Sequence, residues 1–156
     1  MKKINSILFG LFIVSSSLFV VYSCEKEEAC DEDNISEQGD DDSHNMGQNC
    51  MQCHKLGGEG EGCFVVAGTV YDTLLTNTLT SGKIELFTGP DGTGNLVHTI
   101  QVDSKGNFYT TENFDITGLY PVLTGPSGNK SYMGSSLTSG QCNSCHGAST
   151  SRITGY

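Results

Sequence analysis

Positive charge is scarce in this 156-residue chain: eight Lys and Arg stand against eighteen Asp and Glu, for a formal net charge of −10 at pH 7. A surface so poor in cations does not hold a phosphate backbone, which excludes nucleic-acid binding as a function class. Helical periodicity is missing too. Beyond the first 23 residues no long stretch repeats apolar side chains every 3.6 residues, so a helical bundle is excluded. The longest apolar run, Ile7 to Val21, is interrupted by Ser15, Ser16 and Ser17. It falls short of the ~20 residues that a membrane-spanning helix needs. No strand–helix–strand pattern of the thioredoxin kind surrounds any Cys-x-x-Cys pair, which disfavours thiol-redox chemistry.

What is present begins with an export signal. Lys2 and Lys3 form a basic start, the apolar run follows, and the small residue Ser23 stands before Cys24, so residues 1–23 read as a cleaved signal peptide. A retained membrane anchor is the alternative. Val-Tyr-Ser-Cys24 resembles the processing site of bacterial lipoproteins, in which the cysteine becomes the lipidated first residue. The resemblance implies an exported protein anchored to the outer membrane of a Gram-negative bacterium, facing the periplasm or the cell surface. Residues 24–42 carry ten acidic side chains against Lys26 alone. Such a run repels itself and stays solvated, so it reads as a flexible acidic linker, with a docking site for a basic partner as the alternative. An acidic stretch directly after the lipidated cysteine also resembles the surface-export signal of Bacteroidetes-type lipoproteins.

The cysteines carry the chemistry. Among seven, four fall into two Cys-x-x-Cys-His motifs, Cys50-Met-Gln-Cys53-His54 and Cys142-Asn-Ser-Cys145-His146. This spacing attaches c-type haem covalently. Two thiols three positions apart reach the two vinyl groups of one porphyrin, and the histidine after the second thiol becomes an axial ligand of the iron. Cys50, Cys53, Cys142 and Cys145 are therefore the expected thioether positions of two haems, and His54 and His146 the expected proximal ligands. A single zinc held by four thiolates is the first alternative, disfavoured by the two adjacent histidines and by export. A pair of thiol-redox motifs is the second. With Cys24 lipidated and four thiols on haem, Cys30 and Cys63 remain and are expected to form a disulfide, worth roughly 3–4 kcal/mol in the chain-entropy model. Free or intermolecular thiols are the alternative there.

The second axial ligands are less constrained by sequence. His44, six residues before Cys50, and His98 are the remaining histidines, and Met133, nine residues before Cys142, is their rival for the second iron. Counting by two sets Leu96, His98, Ile100 and Val102 on one strand face, expected to be buried. Met46 and Met51 are weaker candidates. Phe64, Phe108, Tyr109, Phe114, Tyr120 and Tyr132 read as core or haem-packing groups, and Lys55 and Arg152 as surface charges able to meet propionates.

Between the motifs lie five β-branched or aromatic runs: Cys63 to Tyr71, Lys83 to Phe87, Asn95 to Val102, Asn107 to Thr111, and Leu119 to Leu123. Turn signals at Thr88–Gly94, Asp103–Gly106 and Gly125–Gly128 separate them. Pro121 argues for an edge position or a strand end. The expected fold is mainly β, a small antiparallel β-sandwich over residues 63–133, flanked by two short haem-binding segments at 43–62 and 134–156. Gly68-Thr-Val-Tyr-Asp72, Ile84-Glu-Leu-Phe87, Val102-Asp-Ser-Lys-Gly-Asn-Phe108 and Gly118-Leu-Tyr-Pro-Val122 resemble the carboxypeptidase regulatory-like, transthyretin-related sandwich over roughly residues 64–124. That resemblance implies a scaffold and no activity of its own. Residues His44–His54 and Gly140–Gly147 are similar to exported multihaem proteins in which a β-sandwich is bracketed by haem-binding segments. The implied function is electron transfer with other cytochromes, a terminal enzyme or an extracellular acceptor. A haem enzyme with one open iron site, and a subunit of a larger multihaem assembly or filament, are the alternatives.

Overall fold

The β-branched and aromatic runs become strands in the computed structural model, which describes residues 30–156. Cys24 and the signal segment lie outside the described residues. The strands are β1 (Val66–Asp72), β2 (Lys83–Phe87), β3 (Leu96–Gln101), β4 (Asn107–Thr110), β5 (Tyr120–Thr124), β6 (Lys130–Tyr132) and β7 (Ile153–Gly155), with a one-turn helix, α1, at Cys142–Cys145. They form a three-stranded sheet in the order β4-β1-β7 and a four-stranded sheet in the order β3-β2-β5-β6. The fold is mainly β, as the spacing of strands and turns predicts. The pairing of β1 with β7 is parallel and departs from the antiparallel expectation.

The two sheets close over one apolar core. Val66, Val70 and Phe108 of the first sheet meet Ile84, Leu86, Ile100 and Leu123 of the second. Side chains alternate faces along a strand, so β1 sends Val66 and Val70 inward and Ala67, Thr69 and Tyr71 the other way. Yet all six residues from Val66 to Tyr71 are buried. On the outward face Ala67 joins Phe64 and Tyr109 in a second, smaller cluster, against which Cys50 and Met51 pack. The central strand therefore has the sandwich core on one side and the first Cys-x-x-Cys-His segment on the other.

Pro121 is the second residue of β5, but β5 is an interior strand between β2 and β6. Met133 N donates to Pro121 O at 3.2 Å, just past Tyr132, the last paired residue of β6. A strand residue's N–H and C=O point to the same neighbour, so the missing donor faces that ragged end and the β2–β5 ladder loses nothing.

Two boundaries differ from the sequence reading. The sandwich does not end at residue 133, because β7 comes from the C-terminal segment and pairs Ile153, Thr154 and Gly155 with Val70, Tyr71 and Asp72. The acidic stretch, over the part described, is bound and not a free linker. Ser36 N donates to Tyr109 O at 3.0 Å, Thr111 N to Asn34 O at 3.1 Å and Ser104 N to Asp40 O at 2.8 Å, which covers the open edge of β4. Ser36, fully buried, sends its hydroxyl to Gln101 O at 2.7 Å and accepts from Tyr109 N at 2.9 Å. The described acidic side chains of the stretch all remain exposed. Its start is tied down by a disulfide between Cys30 and Cys63, whose Cα atoms lie 4.7 Å apart.

Candidate functional site

The first motif folds as a 3-10 turn over Cys50–Gln52, opened by Asn49, whose side chain accepts from Met51 N at 3.3 Å. His54 N returns to Cys50 O at 3.0 Å. The glycine-rich run that follows then wraps the histidine. Gly60 N donates to Cys53 O at 3.1 Å, and a Cβ on Gly60 would stand 2.7 Å from His54 Nδ1, so only glycine lets the main chain pass here. That passage delivers Glu61 O to 2.7 Å from His54 Nδ1. A carbonyl only accepts, so Nδ1 carries the hydrogen and Nε2 keeps its lone pair. The ring stacks on Phe64, with centres 4.2 Å apart and planes at 9°, and Phe64 stacks in turn on Tyr109 at 4.8 Å. The His44 ring centre lies 6.0 Å from that of His54, at a 34° tilt.

The second motif is an excursion from a parallel strand. Gln141 bridges to Ala67 of β1, the chain leaves through α1, and it rejoins β1 at Ile153 opposite Val70. Within the excursion His146 N returns to Cys142 O at 2.9 Å, and Gly147, at φ +90°, reverses the chain. Ser151 O then lies 2.7 Å from His146 Nδ1, with Thr150 Oγ1 at 3.4 Å. The second histidine is thus fixed in the same tautomer, again with Nε2 free.

The fold brings the two motifs side by side. Asn49 Nδ2 donates to Gln141 Oε1 at 2.8 Å across 92 positions of sequence, and Asn143 Nδ2 to Gln48 O at 2.8 Å. Thr69, on the outward face of β1, is the common anchor. Its N–H donates to Asn143 Oδ1 at 3.1 Å. Its hydroxyl accepts from Gly47 N at 2.9 Å and from Asn143 Nδ2 at 3.0 Å, and donates to Asn107 Oδ1 at 2.7 Å. Thr69, Asn107 and Asn143 are all buried, where an unmade hydrogen bond is expensive, so this network fixes the relative position of the two segments.

Cys50, Cys53, Cys142 and Cys145 are free thiols, with Cys53 and Cys145 exposed. Burial pushes the Cys142 thiol up to about 12, with a further push from Cys50 close by. Burial, then Asp103, raises Cys50. The leading cysteine of a thiol-redox pair needs the opposite shift, toward thiolate. Among the described residues no group of three or more His, Cys, Asp or Glu side chains gathers in a metal-holding cluster.

Of the other candidate ligands, only His44 faces a motif histidine. His98 Nε2 is 2.9 Å from Glu112 Oε2, a close polar contact without good hydrogen-bond alignment, and its ring stacks on Phe114 at 4.3 Å. The apolar face expected around it holds only at Ile100 and Val102, both fully buried, because Leu96 is 51% exposed at the sheet edge. Met133 packs against the inter-sheet core, Met51 against the Phe64–Ala67–Tyr109 cluster, and Met46 is exposed. Among the aromatic residues Phe108 is core, Tyr120 is half-buried and Tyr132 is exposed. Arg152 lies over the Tyr71 ring, 4.3 Å from its centre, and Lys55 is exposed. Sequence reading passed over Glu61 and Ser151, which act through main-chain carbonyls, and Thr69, Asn107 and Asn143. Asn143 at an interior position of its motif is a signal that was open to reading. Comparison with protein-family models, with curated proteins and with solved structures returned no match.

Proposed function

We propose that this chain is a dihaem c-type cytochrome that passes single electrons in the envelope or at the surface of a Gram-negative bacterium. One observation carries the reading. Both Cys-x-x-Cys-His motifs hold their histidine by a 2.7 Å contact from Nδ1 to a main-chain carbonyl, leaving Nε2 available, beside thiols that are free. That is the arrangement an axial histidine needs, since the bond at one ring nitrogen orients the other and raises its basicity. Cys50 and Cys53, and Cys142 and Cys145, would hold one haem each, and the haem iron would supply the reversible one-electron chemistry. The chain's own part is to orient the two histidines and to hold the two attachment segments against one strand. The hydrogen bonds between Asn49 and Gln141 and between Asn143 and Gln48 support a two-step relay over two isolated centres.

The partners of such a carrier are other redox proteins, among them cytochromes, or an extracellular acceptor. A lipid on Cys24 would tether it to the outer membrane, and the sequence around Cys24 is what supports this part. Among the described residues no helix is long and apolar enough to cross a membrane. Intact mass together with a haemochrome spectrum of the exported protein tests the whole reading. The expected mass is that of the processed chain plus two covalent haems and the lipid. A mass equal to the apoprotein, with or without zinc, overturns it.

A further inference from the structure

The distance between His44 and His54 has a simple chemical counterpart. Two imidazoles sharing one metal ion stand with ring centres roughly 6 Å apart, the sum of two metal–nitrogen bonds of about 2 Å and the two ring radii. The observed centre separation is 6.0 Å. His44 is not there by the chance of a loose loop. Asn107, 2% exposed, sends Nδ2 to His44 O at 3.1 Å and to the hydroxyl of buried Ser43 at 3.0 Å. Asn107 is itself fixed, because its N–H donates to Asp103 Oδ1 at 2.9 Å and its Oδ1 accepts from Thr69. On the other side of His44 the chain turns sharply, with Asn45 at φ +53° and Gly47 at φ +82°, and Gly47 N is bonded to Thr69 Oγ1. Asparagine and glycine both take the left-handed region at little cost, so these two residues suit the turn.

We propose that His44 is the second axial ligand of the iron held by His54, and that Asn107 is the positioning residue that sets it there. The assignment rests on the cytochrome reading above. The His44 side chain is exposed, while its main chain is anchored to the sandwich. Asn107 thereby reaches both segments: through His44 it bears on the first centre, and through Thr69 and Asn143 on the second.

The test uses the matured full-length protein, with haem counted by mass and spin state read by absorption and electron paramagnetic resonance. In His44→Gly, one haem per molecule is expected to change from low spin to high spin, and added imidazole to restore the low-spin signal. His98→Ala is expected to leave the spectrum unaltered. Asn107→Ser, with Ser43→Ala as a second probe of the same anchor, is expected to give a smaller high-spin fraction at the same centre. Two covalent haems with an unaltered spectrum in His44→Gly overturn the ligand assignment and leave the cytochrome reading intact. A spectrum identical to that of the wild type in both Asn107→Ser and Ser43→Ala overturns the positioning role. Absence of haem from the wild-type protein overturns the cytochrome reading and this inference together.

Discussion

The two Cys-x-x-Cys-His segments reach the same local arrangement by different routes. Each ends with a histidine whose Nδ1 meets a carbonyl at 2.7 Å, yet the carbonyl comes seven residues later in the first segment and five in the second. The first is laid across the outward face of the sandwich, closed behind by the Cys30–Cys63 disulfide, with its histidine stacked on Phe64 and near a second imidazole. The second is a loop whose two ends both pair with β1. What they share is what covalent attachment and axial ligation require. What differs is the surroundings of each ring, which is where a protein tunes potential and access.

The strongest break of this comparison is to remove one side. Cys142→Ala with Cys145→Ala is expected to leave one haem on the protein, seen as loss of one haem mass, because the first segment is folded by its own turns. Loss of both haems would make the segments one cooperative unit. A finer contrast is access: carbon monoxide added to the reduced protein is expected to bind more weakly at the iron held by His54, where His44 must be displaced, than at the iron held by His146. Equal affinity at the two irons would erase the difference between the centres.

Smaller effects concern stability. Cys30→Ser with Cys63→Ser is expected to lower the unfolding free energy by roughly 3 kcal/mol under oxidising conditions, and denaturation in the presence of reductant should make variant and wild type alike. Asn143→Ala leaves the Thr69 N–H buried and unsatisfied, and should cost about 2 kcal/mol, read from the denaturation midpoint. Both segments should loosen together in Asn143→Ala, whereas the disulfide variant should loosen only the first. Hydrogen exchange at Gln48 and Gln141 separates these outcomes.

Sequence was informative wherever a side chain itself carried the signal. The five longer strands were legible from β-branched and aromatic runs, and the motifs from thiol and imidazole spacing. β6 and β7 were not, because Lys130-Ser131-Tyr132 and Ile153-Thr154-Gly155 are three-residue pieces held by partners and not by a pattern of their own. Glu61 and Ser151 were invisible for a related reason: any residue offers the same carbonyl. Of the glycines after His54, Gly57 takes a φ of +73°, while Gly58 and Gly60 are needed for the close approach of the chain to the Cys53 carbonyl and to the histidine ring. At the acidic stretch, composition described the side chains correctly and missed the backbone. The carboxylates are in water while Asn34, Ser36 and Asp40 hold the β4 edge and the turn after β3 through main-chain bonds. The His44 main chain is held by Asn107, 63 residues further on, and no local pattern encodes that contact.

The loop between Gln141 and Ile153 advances three places along β1 while spending twelve residues of chain. Both of its ends are riveted to one strand, so its length is uncoupled from the geometry of the sheets. Such a loop is a socket: a longer or shorter cofactor-bearing peptide could be grafted between those two rivets without moving the sheets, provided it kept Asn143, whose side chain reaches Thr69 and Gln48.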